Sequence, residues 1–191
     1  MAAEPITAMS VEEYLEFERT SETKHEYYGG EVLAMARASY DHNTIVGNVF
    51  AGLRAQLRGK PCRVNFSDIR VQIPDSRLFI YPDLTVVCGQ PQFRDERRDV
   101  LLNPKVIIEI LSPSTESHDQ GKKFQHYRTI ESLDEYVLIA QDAPRIEHFV
   151  RQANDRWLFS EAIGIDATLA LPTIDCTLPL AEVYQEVEHP A

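Results

Sequence analysis

Asp83 and Glu109 stand where acids are costly. Asp83 interrupts Ile80-Tyr81-Pro82-Asp83-Leu84-Thr85-Val86-Val87, and Glu109 interrupts Val106-Ile107-Ile108-Glu109-Ile110-Leu111. Both runs read as strands covered on two faces, where an ionised carboxylate is unfavourable unless it is paired, hydrogen-bonded or metal-bound. Glu26, at the end of the first strand of an early hairpin, is a third candidate. A cationic helical segment follows Glu109: Asp119-Gln120-Gly121-Lys122-Lys123-Phe124-Gln125-His126-Tyr127. Two acids on neighbouring strands plus a lysine meet the needs of phosphodiester hydrolysis. A hard divalent cation held by two or three carboxylates polarises the phosphate and acidifies a water. An ammonium steadies the nucleophile or the growing negative charge. The competing reading of each residue is structural. Asp83 and Glu109 could cap a backbone group or pair with an arginine, Glu26 could be a solvated neighbour of Lys24, and a lysine on a polar helix could simply be hydrated.

These residues need a frame. Ser10-Val11-Glu12-Glu13 has the form of a capping box and opens a short helix to about Arg19, with Tyr14, Leu15 and Glu18 among its facing residues. Gly29-Gly30 joins two short β-prone runs as a tight hairpin. Ser39 to about Arg58 is the strongest helix, with Ile45, Val46, Val49, Phe50, Leu53 and Leu57 on one face, closed by Gly59 and Pro61. Strands are expected at Cys62–Phe66, Asp68–Ile73, Phe79–Val87 and Val106–Leu111. Ser112-Pro113-Ser114-Thr115 then reads as a turn and N-cap for a polar helix running to about Ile130. Further strands follow at Tyr136–Ala140, Ile146–Arg151 and Trp157–Ala162, with a short piece at Leu169–Leu171 and a short helix after Pro179. With no repeats and no linker composition, the expectation is a single α+β domain over 1–191 with a central mixed sheet and helices on both faces.

The bulk composition narrows the function. The chain has 191 residues, 43% hydrophobic and 26% charged, which excludes collagen-like, low-complexity and wholly disordered classes. The acidic start and the lack of a long apolar run argue against a signal peptide and a membrane span, so a cytoplasmic protein is expected. Cys62, Cys88 and Cys176 lie far apart without a CxxC pair and read as ordinary reduced thiols. The six histidines show no HExxH arrangement, which disfavours a zinc hydrolase. The net charge of −11 is uneven. Residues 1–31 hold two basic and eight acidic side chains, and residues 129–191 hold three and twelve. Residues 32–128 hold fourteen and ten, so a locally positive cleft on an acidic body is expected. Within that stretch, Arg94, Arg97 and Arg98 share a loop with Asp95, Glu96 and Asp99 that reads as solvated.

Pro82-Asp83, a spacer and Glu109 in an apolar strand resemble the PD-(D/E)XK restriction-endonuclease-like superfamily. The ordered set His25-Glu26-Tyr27, Ser39 and His42, Tyr81-Pro82-Asp83-Leu84, Ile108-Glu109-Ile110-Leu111-Ser112-Pro113-Ser114-Thr115, Asp119, Lys123, Tyr127 and Glu135-Tyr136 is similar to its Uma-two branch, over nearly the whole chain. The resemblance implies a restriction-endonuclease-like core and a Mg²⁺- or Mn²⁺-dependent endonuclease acting on DNA. Asp83, Glu109 and Glu26 would hold the metal. The superfamily's lysine position, two residues after the second acid, is Leu111 here. The Uma-two pattern moves that role to the following helix, at Lys123. Lys122 lies about 100° further round the helix and remains the alternative, while Tyr127, four residues on, favours Lys123. His42 and Tyr127 are accessory candidates. Cutting two strands needs two sites, so a homodimer is expected. The other reading is a nuclease-fold module that has lost catalysis and binds nucleic acid or a protein partner.

Overall fold

The computed structural model describes residues 9–74, 76–111 and 119–188, with only the backbone at 119 and 120. The first helix, α1 (Val11–Thr20), starts as its capping box requires. Ser10 Oγ accepts from Glu13 N at 3.2 Å, and Glu13 Oε2 accepts from Ser10 N at 2.8 Å. Tyr14, Leu15 and Glu18 form its buried face. The hairpin β1 (His25–Tyr28) and β2 (Glu31–Ala34) turns at Gly29 and Gly30, whose φ values of 62° and 122° favour glycine. Helix α2 (Tyr40–Gln56) is capped by Ser39 Oγ, which accepts from His42 N at 3.0 Å.

The strands divide between two main sheets. The smaller one orders β2, β1, β5 (Leu78–Ile80), β4 (Arg70–Ile73) and β7 (Val100–Leu101). The larger uses β3 (Cys62–Phe66), β6 (Leu84–Cys88), β8 (Val106–Leu111), β9 (Glu135–Ala140), β10 (Arg145–Arg151) and β11 (Trp157–Ile163), in the order β11-β10-β9-β8-β6-β3. It is mixed: β8 and β9 run parallel and the other pairs antiparallel. A separate ribbon pairs β12 (Thr168–Leu171) with β13 (Cys176–Pro179). A π-helical turn at Asp119–Lys123 leads into α3 (Phe124–Tyr127), and α4 (Leu180–Val183) follows β13. The turn expected at Ser112–Thr115 and the side chain of Asp119 lie outside the described residues.

Ile45, Val49 and Leu53 of α2 pack on Leu84, Val86, Ile108, Ile110, Val137 and Ile139, one face of the large sheet. Tyr127 and Ile130 cover the other face, over Ile107, Leu111, Tyr136 and Leu138. A third cluster joins Tyr14 and Leu15 of α1 to Tyr27, Val32, Phe79 and Val100. Fully burying each of the large aliphatic side chains contributes about 1.5–3 kcal/mol.

Two expectations need correction. The single strand Phe79–Val87 is two strands in different sheets. Pro82 lacks an N–H and ends the ladder, so Tyr81-Pro82-Asp83 is the crossing between β5 and β6. Asp83 is therefore in a link, partly exposed, and not inside a buried strand. The central sheet is accordingly accompanied by a second one. The cysteines are not all reduced: Cys62 and Cys88 form a disulfide with Cα atoms 3.9 Å apart, leaving Cys176 free and buried. They are register partners on adjacent antiparallel strands, a proximity created by pairing rather than by sequence spacing. Among the described residues no helix is long and apolar enough to cross a membrane.

Candidate active site

Strand alternation aims Glu109. Val106, Ile108 and Ile110 of β8 face α2, so Ile107, Glu109 and Leu111 face Tyr127 on the other side. Glu109 is 3% exposed. The β6–β8 register pairs Leu84 with Ile108, and one further step sets Asp83 opposite Glu109. The two acids are laced reciprocally. Asp83 N donates to Glu109 Oε2 at 3.3 Å, and Ile110 N donates to Asp83 Oδ2 at 2.8 Å.

Glu26 arrives from the small sheet. Tyr81 N donates to its Oε1 at 3.3 Å and Tyr28 Oη donates to its Oε2 at 2.8 Å. The crossing from β5 to β6 thus brings Glu26 and Asp83 together, because Tyr81 and Asp83 flank Pro82. Lys123 joins the set from the turn before α3. Its Nζ lies 3.4 Å from Glu26 Oε1 and 3.4 Å from Glu109 Oε1, and the residue is buried. Tyr127 Oη donates to Glu109 Oε1 at 2.9 Å. His42, in the first turn of α2, has Nε2 3.0 Å from Asp83 Oδ1. Glu26, Asp83, Glu109, Lys123, His42 and Tyr127 therefore converge. Lys122 is exposed and makes no hydrogen bond or ion pair to them.

Burial, with the charge of Glu26 behind it, pushes the Tyr28 hydroxyl well above its ordinary range. Burial and then Glu109 do the same to Tyr127. Both phenols stay protonated and act as fixed donors to the carboxylates. Among the described residues, Glu26 and Glu109 share the Lys123 ammonium and Asp83 has His42 beside it. The acidic oxygens suit a hard divalent cation. Among the described residues no group of three or more acid, histidine or cysteine side chains is placed to hold a metal ion as it stands.

Two contributors escape sequence reasoning. Tyr28 sits two residues from Glu26 on the same strand face, a spacing that was available as a signal. Glu18 is the other: its Oε1 accepts from His25 N and Tyr81 Oη, both at 2.9 Å, and its Oε2 lies 2.9 Å from His25 Nδ1. It fastens the residue before Glu26 to the crossing that carries Asp83. Only its place on the buried face of α1 hinted at this.

The model of one protein family matches residues 11–181, described as Uma2, putative restriction endonuclease. The chain belongs to the Uma2 family. Two relatives share this Uma2 chain's sequence over most of their length. Uncharacterized protein sll1609 of Synechocystis sp. (strain ATCC 27184 / PCC 6803 / Kazusa) is 34% identical, covering 84% of this chain and 91% of the relative. Uncharacterized protein slr1290 of the same strain is 30% identical, covering 95% and 94%. The crystal structure of a putative nuclease belonging to DUF820 from Anabaena variabilis ATCC 29413 superposes with a TM-score of 0.75 at 18% identity, covering 92% of this chain and 97% of that one. The fold is thus α+β, mixed sheets flanked by helices, and the Uma2 assignment makes the chain nuclease-like.

Proposed function

We propose that this Uma2 chain is a metal-dependent endonuclease that hydrolyses phosphodiester bonds in DNA, in the cytoplasm, as a homodimer. The observation that carries the reading is that Glu26 of β1 and Glu109 of β8 both reach the buried ammonium of Lys123, while Asp83, in the link before β6, is laced to Glu109. Such an excess of buried negative charge is costly to maintain without a cation. Asp83, Glu109 and Glu26 would hold Mg²⁺ or Mn²⁺. The bound ion supplies charge that polarises the phosphate and lowers the pKa of a water.

The chain's own groups do the rest. Ile110 N and His42 fix the two oxygens of Asp83. Tyr127 and Asp83 N hold Glu109, and Tyr28 and Tyr81 N hold Glu26. The carboxylates are thereby oriented before substrate arrives, which lowers the reorganisation needed at the transition state. Lys123 Nζ lies within reach of two carboxylates and offers its ammonium to a phosphate oxygen or an attacking water. A catalytically silent module remains the second reading, favoured by Leu111 at the superfamily's lysine position.

The deciding experiment is nicking of supercoiled plasmid with Mg²⁺ or Mn²⁺, run beside calorimetric Mn²⁺ titration. Wild type is expected to nick and to bind Mn²⁺. Asp83→Asn and Glu109→Gln are expected to do neither while keeping the wild-type circular dichroism spectrum. Equal nicking by the variants, or no cleavage of any DNA or RNA by wild type, overturns the endonuclease reading. Absent Mn²⁺ binding favours the silent module.

A further inference from the structure

We propose that the chain carries a second ligand site, separate from the acids, for a nucleoside monophosphate: a flat base with one phosphate. The site is a cavity of about 260 Å³ between β3, the far end of β6 and the loop before β7. Val87, Leu101 and Phe93 give it an apolar floor and wall, Asn65 adds an amide, and Arg63 and Arg98 stand at its rim. Val87 is four residues from Asp83 along extended backbone, roughly 13 Å at 3.3 Å per residue, so the cavity and the acids occupy opposite ends of one strand.

Three features mark the cavity as a built site, and the first of them points to an anion. First, Arg63 and Arg98 are exposed, and neither makes a salt bridge or hydrogen bond to a carboxylate among the described residues. Their loop neighbour Arg94, by contrast, reaches Gln72 at 3.0 Å and Glu12 at 3.6 Å. Second, Arg98 is held in a left-handed conformation with φ of 57°, fixed by a turn in which Arg98 N donates to Asp95 O at 3.2 Å. That conformation costs a non-glycine residue about 1 kcal/mol, and such outliers gather at ligand sites. Here it goes with a guanidinium 4.9 Å from the centre of the Phe93 ring. Third, the Cys62–Cys88 disulfide joins the residues next to Arg63 and Val87, pinning the two strands that form the wall.

The class of ligand follows from what these groups recognise. A base fills an apolar slot beside an aromatic ring, and stacking on such a ring tolerates any base. Asn65 can donate and accept at its edge. Guanidinium groups bind a phosphate in charge-assisted, bidentate geometry. The volume is just below the span of drug-sized pockets, about 300–1,000 Å³, and suits one nucleotide.

The test is titration calorimetry of the intact chain, without divalent cation, using AMP, UMP, adenosine and inorganic phosphate as probes. AMP and UMP are expected to bind saturably with one site, and adenosine and phosphate roughly tenfold or more weakly. Arg63→Ala and Arg98→Gly are expected to lower AMP affinity roughly tenfold or more, and Arg98→Gly also removes the backbone strain, so its loss of binding cannot come from misfolding. Glu109→Gln is expected to bind AMP as wild type does. The proposal fails if neither nucleotide binds saturably, if both arginine variants bind normally, or if Glu109→Gln abolishes binding.

Discussion

Glu109 and Glu135 are both buried acids of the large sheet, on strands that run parallel side by side, and they are treated in opposite ways. Glu135, fully buried, is closed in. Thr173 N donates to its Oε1 at 2.7 Å, Thr173 Oγ1 donates to the same oxygen, and His148 Nε2 lies 2.6 Å from its Oε2. Its partners come from β10 and from the bend between β12 and β13. Glu109 has longer contacts among its described partners, 3.3 Å from Asp83 N and 3.4 Å from Lys123 Nζ, beside a bond of 2.9 Å from Tyr127 Oη. The Lys123 ammonium beside it is shared with Glu26. A buried carboxylate that only stabilises is best surrounded by short, fully committed donors. One that must exchange partners for a cation or a phosphate is better held loosely, among like charges. On the proposed function, this is the difference between an acid of the site, Glu109, and an acid of the scaffold, Glu135.

Exchanging the two acids for amides is the most direct way to break this contrast. Glu109→Gln should reduce cleavage on the order of 10³-fold or more while leaving the thermal midpoint nearly unchanged, since the amide keeps the volume and most contacts. Glu135→Gln should do the reverse: cleavage per folded molecule stays near wild type. Plasmid nicking and thermal unfolding on the same preparations measure both. A Glu135 variant that loses cleavage without losing stability erases the distinction. Lys123→Gln comes next, with an expected loss of about 10²–10³-fold in cleavage, while Lys122→Gln stays within about twofold, because only Lys123 reaches the carboxylates.

Much of this contrast was readable in the residues, and the unreadable part has a physical cause. The apolar run of β8 and the apolar face of α2 are local patterns, so both elements could be anticipated, whereas the side to which Glu109 points could not, because β8 is apolar on both faces. The spacing of Lys123 and Tyr127 on one helical turn likewise singled out Lys123. The break at Pro82 carried a local signal, a residue with no N–H to continue the ladder, but the change of sheet did not, because an apolar run looks the same on either side of it. The Cys62–Cys88 bond and the Glu135–His148–Thr173 network depend on register between distant strands, which no local pattern encodes. The helix expected to start at Ser112 lies partly outside the described residues.

On the scaffold side, His148→Leu removes one partner of a fully buried carboxylate. Breaking such a pair costs about 3–5 kcal/mol, which lowers the midpoint of a chain this size by roughly 6–20 °C. Cleavage at a temperature where the variant is folded should be unchanged. On the site side, Tyr127→Phe deletes one hydroxyl from Glu109. Leaving that acid one donor short costs about 1–3 kcal/mol, and the comparison predicts that the loss appears in cleavage as well as in stability.

Asp99 offers the smallest and sharpest test, because it is bound by cations and yet lies near the surface. Arg19 donates to it at 2.8 and 3.0 Å, and Arg70 donates from the buried side. The Arg19 hydrogen bonds, then the charges of Arg70 and Arg19, hold its carboxyl below the ordinary carboxylate range against the opposing effect of burial. A folded-state pKa below the unfolded one means that the ionised form favours folding. That contribution is complete above the unfolded value, about 3.9. It is lost as pH falls through the folded value. Wild type and Asp99→Asn should therefore differ in thermal midpoint by a constant amount from neutral pH down to roughly pH 4 and converge below it. Because Asp99 is linked to α1 through Arg19 and not to the acids, the variant should leave cleavage untouched. If the two midpoint curves stay parallel down to the acid limit, the Arg19 and Arg70 contacts do not depend on the charge of Asp99, and ion pairing is not what ties α1 to the small sheet.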